Sequence, residues 1–160
     1  VAPTWQPLLK RLEAAGRVAE CSAALYRDRR DDGYQLVLRL SPPGEAEFAN
    51  TEPDGAVFLP AERQCAVVGE KEHQDVLTPY GQRLGNIWVT LHPTVVDRGK
   101  YAGAPTIEVR VDGATVGQLT AAQGARYAEL LTYGPVVAAE ARVFEGANYL
   151  EVQVMLPKVD

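Results

Sequence analysis

The side chains in this sequence that could do chemistry are the thiols Cys21 and Cys65, the histidines His73 and His92, and the basic-aromatic run Arg98-Gly99-Lys100-Tyr101. A nucleophilic pair needs its thiol and base at a spacing that a motif can bring together. Cys65 and the run His73-Gln74-Asp75 match no such motif, and polar residues on a helix face account for them. His92, beside Pro93 at a strand end, is no more specific. Two histidines and two cysteines without metal-ligand spacing do not make a zinc site. Gly99, Gly103 and Gly113 form neither a GxGxxG fingerprint nor a P-loop. The expectation is a protein that is not an enzyme and carries no metal or cofactor.

The loop from Val96 to Pro105 is the stretch of interest. Two cations beside an aromatic residue, on a glycine-hinged loop, can hold a phosphate and stack a base. Arg98, Lys100 and Tyr101 are therefore candidate nucleic-acid-binding residues. Arg110, facing outward on the next strand, is a third candidate cation. The plainer alternative is a solvated loop whose tyrosine packs back on the domain, with Arg110 paired to Glu108 or another surface carboxylate.

That loop is positioned by the stretch Thr106 to Leu131. Ile107, Val109 and Val111 alternate with Glu108 and Arg110, as in a strand with one buried face. Asp112-Gly113 suits a two-residue type I′ turn, which puts Val111 opposite Ala114 and Val109 opposite Val116. Simple alternation would then leave Leu119 outside, so Gly117 is read as a bulge that turns it inward. Thr120 and Gln123 fit a capping box for a helix over 121–132, with Gly134 as its stop.

The rest of the chain is read as follows. A helix capped by Thr4 and stopped by Gly16 runs from Trp5 to about Ala15, then Val18 to Tyr26 and Tyr34 to Leu40 form a hairpin across a polar turn. Residues 44–56 are acidic, turn-rich and aperiodic, which marks a linker. A strand over 64–69, a short helix from Glu70 to Tyr80, stopped near Pro79, and a strand over 86–92 precede the loop. Strands matching the N-terminal hairpin follow the helix over 121–132. The expected class is α+β, mostly β: a small, strongly curved sheet or barrel with one or two helices. The expected division is a partial repeat over 1–43, a linker over 44–56 and a β-rich domain over 57–160.

The partial repeat rests on an internal echo. Tyr127, Leu130 and Leu131 match Trp5, Leu8 and Leu9. Ala139, Ala141 and Val143 match Cys21, Ala23 and Leu25, and Leu150, Val152, Val154 and Leu156 match Tyr34, Leu36, Leu38 and Leu40. The first copy holds only the back half of the unit, so its strands should present open edges and an uncovered apolar face. Truncation of a tandem protein, cover from the C-terminal domain and cover from a second copy each answer this, and the first is favoured here.

One hundred and sixty residues with 46% hydrophobic content suit one ordinary domain, or one plus part of another. The formal net charge of −5 argues against strong non-specific nucleic-acid binding, which needs a clustered positive surface. No apolar run reaches membrane-spanning length, and no signal peptide is visible. The widely spaced cysteines read as thiols in a reducing compartment, hence a cytoplasmic protein.

Val67-Val68-Gly69-Glu70 with His73-Gln74, then Val109 to Gly113, Val116 to Leu119 and Tyr127, together resemble a HIRAN domain over residues 64–157. That resemblance implies a small barrel of the OB-like or SH3-like kind and, as in members attached to DNA-remodelling enzymes, binding of the 3′ end of single-stranded DNA. Where the family's loop reads like NPYDPNA, this chain has Asp97 to Thr106, DRGKYAGAPT, without the family's Asp and Asn. Gln118 stands where the family often has an aromatic residue, and Tyr101 matches a stacking aromatic. The function expected is a non-enzymatic module for single-stranded DNA. The alternative is a protein-interaction or scaffold domain, self-associating or with another protein as partner.

Overall fold

Strand alternation sets the architecture. Ile87, Val89 and Leu91 on one strand, and Ile107, Val109 and Val111 on the next, are buried to 4% exposure or less, while the residues between them face outward. A computed structural model describes residues 5–14, 21–27, 33–39, 48–81 and 86–159 of the chain. They fall into two compact units that divide after Glu47.

The first unit contains helix α1 (Gln6–Ala14) and the antiparallel strands β1 (Ser22–Arg27) and β2 (Tyr34–Arg39). The expected cap and stop of α1, Thr4 and Gly16, lie outside the described residues.

The second unit is an antiparallel sheet with helices packed against it. Its strands are β3 (Val57–Phe58), β4 (Arg63–Ala66), β5 (Asn86–Val95), β6 (Pro105–Val111), β7 (Ala114–Gln118), β8 (Val137–Glu145) and β9 (Leu150–Leu156). They lie in the order β4-β9-β8-β5-β6-β7, and the short β3 runs parallel to the start of β8. A 3-10 turn (Glu70–His73) leads into α2 (Gln74–Gly81), while α3 (Ala121–Tyr127) tightens into a second 3-10 turn (Ala128–Thr132). The protein is thus α+β and mostly strand. Among the described residues, no helix is long and apolar enough to cross a membrane.

The strand ladder is not a closed barrel. Its two ends, β4 and β7, meet only through an isolated bridge in which Val68 and Gln118 exchange hydrogen bonds of 2.8 and 2.9 Å. For these ends to meet at all, the sheet has to curl round on itself. The inward faces of its strands then form one core with Leu77 of α2, Tyr127 of α3 and Leu119.

The turn and cap of the central stretch take the expected form. Asp112 and Gly113 have φ of 47° and 85°, as a type I′ turn requires. The bulge is present with one difference: Val109 pairs with Gly117 rather than Val116, so Val116 is the extra residue. A Cβ on Gly117 would lie 2.6 Å from Val67 Cγ1 and 2.7 Å from the Val68 carbonyl oxygen, so this position needs glycine to let the sheet ends meet. Leu119 is turned fully inward. The capping box is complete: the Gln123 amide donates to Thr120 Oγ1 at 3.3 Å, and Gln123 Oε1 accepts from the Thr120 amide at 3.1 Å.

The expected helix from Glu70 to Tyr80 is present as the 3-10 turn and α2, which ends at Gly81; Pro79, near that end, removes one intrahelical bond. Two expectations need correction. The strand expected over 86–92 extends to Val95, because β8 pairs with β5 only as far as Leu91 and leaves that side open at Pro93. Residues 48–56, expected as linker, are anchored on the second unit. Phe48 stacks on Trp88 at 4.1 Å, and Asn50 donates from Nδ2 to the Trp88 carbonyl and to Asp112 Oδ1.

Candidate functional site

The loop between β5 and β6 is held by its own backbone. The Val96 amide donates to the Ala104 carbonyl at 2.9 Å and the Gly103 amide to the Val96 carbonyl at 2.8 Å, which closes the loop just past the last β5–β6 pair, Val95 with Pro105. Two further bonds, from Ala102 to Gly99 and from Ala104 to Tyr101, fold the tip into successive turns. Gly99 and Gly103 have φ of 89° and 83°, a backbone that other residues rarely adopt.

This scaffold presents Tyr101 at 59% exposure, with Lys100 Nζ 5.4 Å from its ring centroid. An exposed contact of that kind is worth about 0.5–1 kcal/mol, enough to bias the lysine toward the ring without immobilising it. Tyr101 forms one wall of an apolar groove of about 550 Å³, completed by Val96, Leu119, Thr120, Ala121 and Ala122. A polar cleft of about 200 Å³ adjoins it, with Glu72, His73, Asp97, Arg98 and Glu108 in its walls. Val68, Val96 and Gln118 line both depressions, so the two meet at the bridge between the sheet ends.

The four candidate residues do not form one cluster. Lys100 and Tyr101 stand together on the loop. Arg98 pairs with Glu72 across the polar cleft; both side chains are mostly exposed, so the pair contributes at most about 1 kcal/mol and an incoming anion can displace it. Arg110 pairs with Glu108 and opens on a different cleft, which it lines with Trp88, Asp54 and Asp112. Thr106 to Arg110 is four steps of strand, about 13 Å, and that rise carries Arg110 away from the loop.

The residues considered for nucleophilic chemistry are also separated. Cys65 is 2% exposed and lies in the core, its Sγ 3.6 Å from the hydroxyl of the buried Tyr127, whereas His73 lines the outer cleft. Burial and the hydrogen-bonded Cys65 push the Tyr127 phenol above its ordinary value. His92 lies on the outward side of β5, 2.9 Å from Thr90 Oγ1. Its pKa is held below the ordinary value by burial, then by Arg110, with Glu108 opposing. Both cysteines are free thiols. Among the described residues, no group of three or more His, Cys, Asp or Glu is placed to hold a metal ion.

Two structural elements around the candidate residues were not read from the sequence. The wall at the start of α3, Leu119 to Ala122, was visible only as a helix cap, although its pair of small residues leaves room beside the loop. The second is a hydrogen bond beside the Arg110 cleft, which Asp112 lines. Tyr80 donates to Asp112 Oδ2 at 2.5 Å, and its phenol is pushed up to about 12 by burial and then by that carboxylate.

Comparison of the chain with family models, with curated proteins and with solved structures returns no match.

Proposed function

We propose that the second unit is a non-enzymatic module that binds single-stranded nucleic acid, with a base stacked on Tyr101 over the apolar groove. The observation that carries this reading is the exposed Tyr101 ring on a self-bonded loop, flanked by the Lys100 ammonium and open to a groove of base-accommodating size. The stacking face tolerates any base, and Lys100 with a displaced Arg98 supplies charge for about two phosphates. Arg110 is outside this site. The carboxylates of Glu72, Asp97 and Glu108 in the neighbouring cleft disfavour a longer phosphate track, so the reading is of a short segment or a strand end. The HIRAN-like reading, with a barrel-like curl and a tandem arrangement, belongs to the same proposal. It is supported by the type I′ hairpin, the Gly117 bulge and the single bridge joining the sheet ends. Free thiols agree with a cytoplasmic setting.

Fluorescence anisotropy with short single-stranded DNA at several salt concentrations tests it. With two phosphate contacts, log K should fall with log salt at a slope of about −1.4. Tyr101→Ala should weaken binding by about tenfold, the loss of one stacked base at about 1–3 kcal/mol. Lys100→Ala should lower the slope by about 0.7. Absence of binding at low salt, or binding indifferent to both substitutions, overturns the proposal. A protein partner is the second reading, favoured by the exposed apolar side chains of β1 and β2.

A further inference from the structure

The hairpins β1–β2 and β8–β9 have the same register. In the first, Ala23 pairs with Leu38, Leu25 with Leu36 and Arg27 with Tyr34. In the second, the matching residues Ala141 and Val154, Val143 and Val152, and Glu145 and Leu150 are the pairs. The connections differ, residues 28–33 in one and 146–149 in the other, so loop length did not impose the agreement. A slip of one residue would have turned each apolar set to the opposite face.

What surrounds the two hairpins differs. In the second unit, β8 pairs along its other edge with β5, Ala141 opposite Ile87 and Ala139 opposite Val89. Its inward residues, with those of β9, lie in the core to which β6 and β7 contribute Val109 and Val116. In the first unit, β1 and β2 form a two-stranded sheet. Leu25, Leu36 and Leu38, which match Val143, Val152 and Val154, are 65%, 62% and 51% exposed.

We infer that the edge of β1 away from β2, which pairs with no further strand among the described residues, and the apolar face of β1–β2 dock a polypeptide segment with the pattern of β5 to β7. It adds one strand antiparallel to β1 and folds a hairpin over Leu25, Leu36 and Leu38, as strand addition does in other recognition modes. The β5 to β7 strands of a second copy are not available, because Ile87, Val89 and Val109 are fully buried in their own unit. Nor does a second β1–β2 face match the occupant seen in the second unit, where β5 pairs with β8 and residues of β6 and β7 join the core of β8 and β9. The occupant is therefore a further stretch of polypeptide carrying this half-domain pattern.

The matched positions set the test. Trp5 matches Tyr127, so a copy of residues 57–122 fused directly ahead of Val1 supplies a segment of the β5 to β7 pattern in phase. Hydrogen exchange is then read at the amides of residues 22–27 and 34–39 in the full chain with and without the fusion. The fusion should slow exchange there by about a hundredfold or more, and Leu36→Glu within it should abolish the gain. Leu25, Leu36 and Leu38 are larger than the valines they match. A second fusion with all three changed to Val therefore removes overpacking as a cause of failure. If neither fusion protects the hairpin, the inference is overturned. It is also overturned if the unfused chain already protects these amides, as a monomer or in a concentration-dependent dimer.

Discussion

Hairpins β1–β2 and β8–β9 share their cross-strand pairs, yet Val143 and Val152 are 1% exposed where Leu25 and Leu36 are 65% and 62% exposed. The pattern of a strand pair thus sets its register but not its burial. A two-stranded ribbon is marginal by itself in water. In the second unit, β5 satisfies the edge of β8, and the rest of the curled sheet covers its face. Each valine so buried contributes roughly 1.5–3 kcal/mol.

Substitutions break or sharpen this contrast in order of size. The largest effect is expected from Gly117→Ala, which attacks the seam that keeps the second unit curled. The new methyl would meet Val67 Cγ1 at 2.6 Å and the Val68 carbonyl at 2.7 Å, on a backbone with φ of 149°. Backbone contact cannot yield as a side-chain tip can, so a urea melt should show a loss of roughly 2–4 kcal/mol. Next comes the matched pair Val152→Ala and Leu36→Ala. The first removes buried carbon at 1% exposure and should cost about 2 kcal/mol; the second, at 62% exposure, should stay within about 0.5 kcal/mol. Equal losses would show that the β1–β2 face is covered after all. The smallest effect concerns the outer face of β8. Glu140 pairs with Trp88, which carries the rings of Phe48 and Phe58, and burial raises its pKa above the ordinary 4.5. The folded state then holds this proton longer than the unfolded state. Its contribution to stability is full below pH 4.5 and is lost as pH rises through the raised value. Glu140→Gln should remove that part of the pH dependence and raise the melting midpoint at neutral pH. Parallel pH profiles for the two proteins would contradict it.

Local chemistry was legible in the sequence where neighbours along the chain decide the outcome. Asp112-Gly113, Gly117 and the Thr120–Gln123 box each constrain a few residues, and the structure shows turn, bulge and cap at those positions. Contacts between distant residues were not legible. Phe48 and Asn50 sit in an acidic, aperiodic stretch, and only Trp88, some forty positions on, gives them a partner. The candidate site divides the same way. Alternation placed Arg110 on the outward face but could not measure its distance from Tyr101. The loop's order comes from bonds between backbone groups, which leave no side-chain pattern to read.

The bridge between Val68 and Gln118 joins residues about fifty positions apart, and the sheet path between them runs through every other strand of the ladder. The bridge closes a shorter segment than the Cys65–Val154 pair of the β4–β9 ladder does, so its loop-closure cost is the smaller of the two. Two hydrogen bonds hold it, where the neighbouring ladders have four pairs or more. Its amides therefore open at a lower free energy than those in the middle of β8. Unravelling of the strip starts at this rung.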